Sequence, residues 1–256
     1  MLIRSPGRPL SQAEFCGIAA LCLAVSLAFF SPCLAILPLA CFLLACCLAP
    51  FFSGWGFFYP VISHGERAGT TIWLTFDDGP DPRSTPLLLA KLAEHGLPAT
   101  FFVNGGRVRR HPALIRDMLR RGHAIGNHSH SHEPCIMFRG PARLEREIRL
   151  TQRALARAGA APTLFRPPVG INVPAWAEAL HQNGLLAVNF SLRPRDLGNR
   201  RVRGLARRIL RKLRPGDIVL LHDAWPKNDS GEQWLAELEA LFAGIKERGF
   251  EVAPLA

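Results

Sequence analysis

An α/β domain built on a parallel sheet with crossover helices is predicted by three features of this 256-residue chain. From residue 70 onward, short β-rich runs alternate with amphipathic stretches, the pattern of repeated βα units. Gly96, Gly122, Gly159, Gly184 and Gly249 each stand between a helix-like stretch and the next strand, where a left-handed residue commonly ends a helix. Polar residues capable of chemistry gather just after the strands, at the end that carries function in such sheets. These features allow either a doubly wound sheet or a closed barrel.

The first element in chain order is apolar. No charged side chain occurs between Glu14 and His64, whereas a membrane span needs roughly 20 mostly apolar residues. The tract predicts two tilted transmembrane helices, about 15–31 and 34–50, turning at Ser31-Pro32. A secretory signal has an apolar core of only about 7–15 residues before its cleavage site, so a cleaved leader fits poorly. Arg4 and Arg8 place the N-terminus on the cytoplasmic side of the inner membrane. Two spans would return the following domain to the cytoplasm; one would leave it outside. Six of the seven cysteines lie in this tract as small apolar packers, and only Cys135 remains for the rest. Residues 1–64 therefore read as an integral membrane anchor and 65–256 as the working domain.

Within the domain, TIWLTF at 71–76 reads as a strand. Thr85-Pro86 then opens a helix that runs to His95, with proline where its missing N–H costs nothing. ATFFV at 99–103 is the next strand, followed by a helix at 112–121 and the strand HAIGN. A helix at 141–158, the strand TLF, a helix at 174–183 and the strand LLAVNF come next. A helix at 200–213, a strand at 217–221 and a helix at 231–248 precede the closing FEVAPL.

The formal net charge is +11, nearly all of it after the apolar tract. Residues 193–214 hold nine arginines and one lysine against Asp196, with Asp217 just beyond. Nucleic acid is not predicted as a partner, because no aromatic interleaving or recognition motif accompanies the charge. Anionic lipid headgroups or a phosphate-bearing substrate suit a basic face on a tethered domain. A merely solvated basic helix is the plainer reading.

Four strands deliver the chemistry. Asp77 and Asp78 follow the strand at 71–76, and NHSHSH at 127–132 continues from HAIGN. Arg166 follows TLF; His222 and Asp223 follow the strand at 217–221. Two histidines and a carboxylate make a common catalytic metal set that leaves a position open for water. His128 and His132, four apart, face one ion if their segment is a helical turn; if it is extended, His130 joins them. Of two adjacent carboxylates, one can bind the metal while its neighbour takes a proton from water. An acidic turn before Gly79-Pro80, or the aspartate nucleophile of a phosphatase, would also explain Asp77-Asp78, but neither employs the histidines. His64, His95, His111, His123 and His181 stand alone and read as structural.

Taken in order and spacing, TFDDGP, HSHSH, FRPPVG and VLLHD resemble the motifs of the polysaccharide deacetylase (NodB-homology) family, over about residues 70–225. The resemblance implies a distorted (β/α) barrel of about seven strands. It implies a metal-dependent carbohydrate N-deacetylase, removing acetyl or formyl from an amino sugar. The substrate would be a polysaccharide such as peptidoglycan or an exopolysaccharide, or a lipid-linked glycan, as for members that deformylate a carrier-linked amino sugar. Asp78, His128 and His132 would then ligate one divalent ion, zinc foremost, with cobalt, nickel or iron accepted by the same set. Asp77 would be the general base, oriented by Arg166; the Val169 backbone N–H would meet the oxyanion, and His222 would protonate the leaving amine. His130 falls at a variable position of the motif and is not a ligand.

Two departures stand out. Val169 replaces a usual aromatic residue, which is tolerable because its contact comes from the main chain. Where the family commonly has Asp and, four residues later, Trp, Arg193 and Leu197 align; nearby Asp196 offers a carboxylate with different geometry. A metal- or glycan-binding module that has lost turnover is the competing class, although it would need neither Asp77 nor His222.

Overall fold

The computed structural model describes residues 10–133, 135–227 and 231–255; Arg4 and Arg8 lie outside them. The chain opens as a helical hairpin, α1 (Gln12–Ala28) and α2 (Pro32–Leu48). A reciprocal capping box starts α1: Ser11 Oγ accepts the Glu14 N–H while the Glu14 carboxylate accepts the Ser11 N–H. Pro32 occupies the first turn of α2, where it pre-sets helical φ. Both helices therefore start a little before the stretches that hydropathy suggests. Their outer faces are apolar and open; at the tip, Phe29 and Phe30 are 87% and 86% exposed. Pro32–Phe51, with mean hydropathy 2.5, is long and apolar enough to cross a membrane, whereas α1 at 17 residues is shorter.

After the hairpin come β1 (Val61–Ile62), β2 (Thr71–Asp77), α3 (Ser84–His95), β3 (Thr100–Val103), α4 (Gly105–Arg110) and α5 (Pro112–Arg120). Then follow β4 (Ala124–Asn127), α6 (Pro141–Arg157), β5 (Leu164–Phe165), α7 (Ala175–Gln182) and β6 (Leu186–Val188). The chain ends with α8 (Leu205–Leu210), β7 (Ile218–His222), α9 (Gly231–Glu247) and β8 (Glu251–Val252). Seven parallel strands form one sheet in the order β1-β6-β5-β4-β3-β2-β7, and β8 adds to the early part of β2. The sheet curls, and isolated bridges between Leu192 and Val219 and between His64 and Asp217 bring its edges together. The distorted seven-stranded barrel is thus as expected. Its first strand pairs Val61 with Ala187 and Ile62 with Val188, so the sheet begins before residue 65.

The five inter-element glycines behave as the sequence suggests, with φ between 61 and 91°. The helix expected over 200–213 does not form in full. Arg195, Leu197, Asn199 and Gly204 take φ of 57, 55, 60 and 72°, left-handed positions that a right-handed helix cannot contain. Residues 193–204 are therefore a loop, and α8 is only six residues long.

Alternation along β2 sorts its side chains. Ile72, Leu74 and Phe76 enter the main core with Leu88 and Leu92 of α3 and Leu238 and Phe242 of α9. Each such buried side chain is worth about 1.5–3 kcal/mol. Thr75 and Asp77, two apart, point together to the other face, into the barrel. A second apolar cluster joins Phe57, Tyr59, Ile148 and Trp176 to Ala13, Phe42, Ala45 and Cys46 of the hairpin. The base of the hairpin is thereby fixed to α6 and α7.

Candidate active site and metal centre

Strand register brings the polar groups to one rim. Asp77 pairs with His222 across β2–β7, and Asn127 pairs with Phe165 across β4–β5. The next residues, Asp78, His128, Arg166 and Asp223, therefore leave the sheet at the same end. Asp78 turns the chain with φ 73°. Gly79 follows because a Cβ there would lie 2.4 Å from Asp223 Oδ2. Asp223 is fully buried, accepts hydrogen bonds from the Ser84 and Thr85 hydroxyls at 2.8 and 2.6 Å, and donates its own N–H to the Asp77 carbonyl. Burial pushes its carboxyl up to about 7 despite those donors.

Arg166 forms the floor. Its side chain is wholly buried over the Phe102 ring, 4.0 Å from the centroid. Nη1 donates to Asp77 Oδ1 and to Thr75 Oγ1, each at 2.7 Å, and Nη2 to the Asn189 carbonyl at 2.9 Å. A buried carboxylate is costly unless it is paired and hydrogen-bonded. Here Asp77 is held by a guanidinium that has no freedom of its own, with Oδ2 left 3.7 Å from His128 Nε2.

Asp78, His128 and His132 come together, each offering one donor atom within 4.8 Å of the others. The segment carrying the histidines is neither helical nor extended. Ser129 and His132 adopt φ of 65 and 50°, and that tight turn closes the His128 and His132 rings to 5.0 Å between centroids. His130 is carried away: its N–H donates to Glu147 Oε2, and its Nδ1 is buried without a partner among the described residues. His128 Nδ1 lies 2.8 Å from the Arg166 carbonyl, which can only accept, so the proton sits on Nδ1 and Nε2 is left as a lone-pair donor. Burial, working against Asp77, holds His128 below its usual value and keeps it neutral. Burial opposes charge on His132 and Asp78 too, but their mutual contact at 3.0 Å prevails, raising the histidine and lowering the carboxyl. One carboxylate and two imidazoles with converging donors suit a divalent ion such as zinc.

His222 stands opposite. Its Nδ1 is 3.0 Å from Asp196 Oδ2, and Asp196 is buried and also takes the Asn199 N–H. Burial disfavours the charged ring; Asp196, then Asp78 and Asp77, outweigh it and hold His222 up to about 9. The aligned position, Arg193, does not supply this carboxylate. The left-handed turns at Arg195 and Leu197 swing Asp196 inward instead. Val169 lines the same cleft with φ 55° and ψ 9°, and its N–H engages no partner within the described chain.

These groups line an open cleft of about 1280 Å³. Of the seven residues that sequence reasoning singled out, six line this cleft and Arg166 lies buried beneath it; Thr75, Asn189 and Glu147, which support them, were not foreseen. Thr75 was discoverable, since it shares a strand face with Asp77. Asn189 and Glu147 reach the site only through tertiary contacts. The five histidines read as structural stay outside the cleft; burial, first of all, holds His123 down at about 4.

Residues 64–188 match the family model described as polysaccharide deacetylase. The chain is 38% identical over 204 residues to a chitooligosaccharide deacetylase of a Bradyrhizobium species, covering 75% of this chain and 93% of that protein. It is 35% identical over 181 residues to a peptidoglycan-N-acetylglucosamine deacetylase of Bacillus cereus, covering 70% and 83% respectively. Among solved structures, a family 4 carbohydrate esterase from Streptomyces lividans, in complex with acetate, superposes with a TM-score of 0.65 at 31% identity, covering 73% of this chain and 94% of that one. With the barrel, the four motifs and these likenesses in agreement, the chain belongs to the polysaccharide deacetylase family.

Proposed function

We propose that the chain is a membrane-anchored, metal-dependent hydrolase that removes an N-acyl group, acetyl or formyl, from an amino sugar of a polysaccharide or lipid-linked glycan. The observation that carries this reading is the placement of two separately supported proton-handling groups, Asp77 and His222, on either side of the Asp78/His128/His132 cluster. Relatives named for deacetylation of chitooligosaccharides and of peptidoglycan support the amino-sugar assignment.

Asp78, His128 and His132 would hold the ion, which supplies Lewis-acid polarisation of the acyl carbonyl and a lowered pKa for the attacking water. Asp77 takes the proton from that water. Its Oδ1 is tied to Arg166, so Oδ2 is the free oxygen for the transfer. The Val169 N–H donates to the oxyanion that develops as water adds to the carbonyl. His222, kept protonated by Asp196, gives its proton to the amine as the carbon–nitrogen bond breaks. The acid and the base stay distinct because each has its own buried partner. A binding module would have no use for that second pair.

The apolar hairpin supports membrane anchoring, since soluble proteins rarely expose contiguous apolar patches larger than a few hundred Å². The division into an N-terminal anchor and a catalytic domain is part of this proposal, with the boundary drawn before β1 rather than after residue 64.

Replacing the base and a ligand separately tests the assignment. Asp77→Asn should keep its metal content and lower turnover of an N-acylated amino sugar by at least about 10²–10⁴-fold, the usual worth of general acid–base assistance. Asp78→Asn and His128→Ala should lose metal and turnover together, while His130→Ala keeps both. Wild-type turnover by Asp77→Asn, or equal metal loss in His128→Ala and His130→Ala, would refute the roles.

A further inference from the structure

The cleft walls carry more positive charge than the reaction requires. Each acidic group in the cleft already has a partner: Asp77 has Arg166, Asp78 has His132, Asp81 has Arg107 at 3.1 Å and Asp196 has His222. Five further cations, Arg110, Arg193, Arg195, Arg200 and Lys227, line the same cavity with no ion pair among the described residues. Arg83 is a sixth; its guanidinium lies 5.0 Å from the centroid of the Trp225 ring and has no ion pair among the described residues. These side chains reach the cleft from four separate places in the chain. A solvated basic surface would not concentrate them around one concavity, where like charges repel and focus the potential inward. The aromatic rings of the cleft are also partly spoken for. Arg193 lies 5.5 Å from the centroid of the Phe190 ring, as Arg83 lies over Trp225, so one face of each ring is covered by a guanidinium and withheld from a neutral sugar.

A second, independent observation places this cleft beside the hairpin. The segment by which the chain leaves α2 is hydrogen-bonded to the cleft wall. Asn172 donates its N–H to the Pro50 carbonyl at 3.2 Å, and Ser53 Oγ donates to the Phe190 carbonyl at 3.4 Å. Asn172 Oδ1 accepts from Tyr59 and from Asn189, and Asn189 also donates to the Gly170 carbonyl. Gly170 and Phe190 both line the cleft. These bonds tie one wall of the cleft to the segment that leaves the apolar hairpin, so an anchored hairpin would hold that wall close to its own exit point.

We propose that the N-acyl amino sugar taken by this cleft carries a phosphate or diphosphate and is presented from the membrane surface as a lipid-linked sugar phosphate, with arginines of both walls holding the anionic oxygens. Guanidinium groups suit this task because their paired N–H groups match phosphate oxygens. The inference rests on the deacetylase reading and narrows its substrate.

The test uses the full chain in nanodiscs, loaded with zinc, and three probes, each prepared as the N-acetyl and the N-formyl derivative. They are a neutral chitotetraose-type oligomer, glucosamine 1-phosphate, and prenyl-diphosphate-linked glucosamine in phosphatidylcholine. The expected order of kcat/KM is lipid-linked above soluble phosphate above neutral, with about tenfold or more between phosphorylated and neutral sugars, the size of one charge-assisted contact. Arg110→Gln, Arg193→Gln and Arg200→Gln together should bring that ratio towards one, with metal content and melting temperature as checks of the fold. A phosphate preference without any gain from the lipid would overturn the membrane half of the proposal. Equal kcat/KM for neutral and phosphorylated sugars would overturn all of it while leaving the deacetylase reading intact. If no probe releases acid, the deacetylase reading falls, and calorimetric binding of N-acetylglucosamine 1-phosphate decides the rest: binding that the arginine changes leave undiminished belongs to the metal alone and overturns the proposal.

Discussion

The two walls of the cleft are built by different means. On one side, Asp77, His128 and Arg166 end strands of the sheet, are buried, and spend nearly every polar atom on one another. On the other, residues 193–200 form a loop in which Arg195, Leu197 and Asn199 hold left-handed backbone, and Arg193, Arg195 and Arg200 are exposed. The first wall gains accuracy from the strand ladders, which leave its side chains no alternative arrangement. The second is shaped by local turns and anchored at few points, chiefly Asp196 on His222 and Asn199 on the carbonyls of His222 and Ala224. In the proposed reaction the rigid wall would carry the base and two metal ligands, while the loop wall would support the acid and contribute part of the anion-binding charge. His222 is the meeting point, since it belongs to a strand but takes its charge from the loop.

The largest expected contrast between the walls is in stability. Arg166→Met would leave the Asp77 carboxylate buried and unpaired, a loss of about 3–5 kcal/mol. Arg193→Gln, on the loop, should change stability by no more than about 0.5 kcal/mol, as exposed substitutions do. Chemical denaturation of both variants measures the difference; similar losses would mean that the walls are not differently built.

A smaller effect, specific to the junction, is expected in the pH dependence. Asp196 raises His222 from its ordinary 6.5 to about 9, so the pair stabilises the fold fully below pH 6.5, and that contribution is lost as pH rises through 9. In Asp196→Asn the stability deficit should therefore be greatest at acid and neutral pH and should shrink above pH 9. The alkaline limb of kcat/KM, where the acid loses its proton, should move towards neutral pH in the variant. An alkaline limb that stays in place would remove His222 from the role of acid. A divalent ion on Asp78 opposes charge on His222, so chelation should raise the histidine's pKa, readable by NMR titration.

A small effect should also come from Leu197→Gly. Leu197 is 60% exposed with φ 55°, so little packing is lost and left-handed strain is relieved. The melting temperature should shift by the equivalent of less than about 1 kcal/mol, in the stabilising direction if strain outweighs the added freedom of the unfolded chain. A loss of several kcal/mol would show that the loop is as tightly specified as the strand ends.

By itself the sequence determined the alternation of strands and helices, the helix-ending glycines, the apolar hairpin and the groups at the rim. Those features depend on neighbours a few residues apart. The spacing of His128 and His132, the adjacency of Asp77 and Asp78, and the two-residue period of a strand are local quantities, so they can be read without the fold. The tertiary structure alone decided the rest. It set Asp196, rather than Arg193, against His222, because left-handed turns make the loop's path independent of alignment. It shortened the basic helix expected over 200–213 to Leu205–Leu210 and left Arg200 on the cleft wall. It also gathered arginines from distant segments around one cavity and tied the exit of α2 to that wall. Long-range hydrogen bonds and burial choose such partners, and the chain carries no periodicity that marks them in advance.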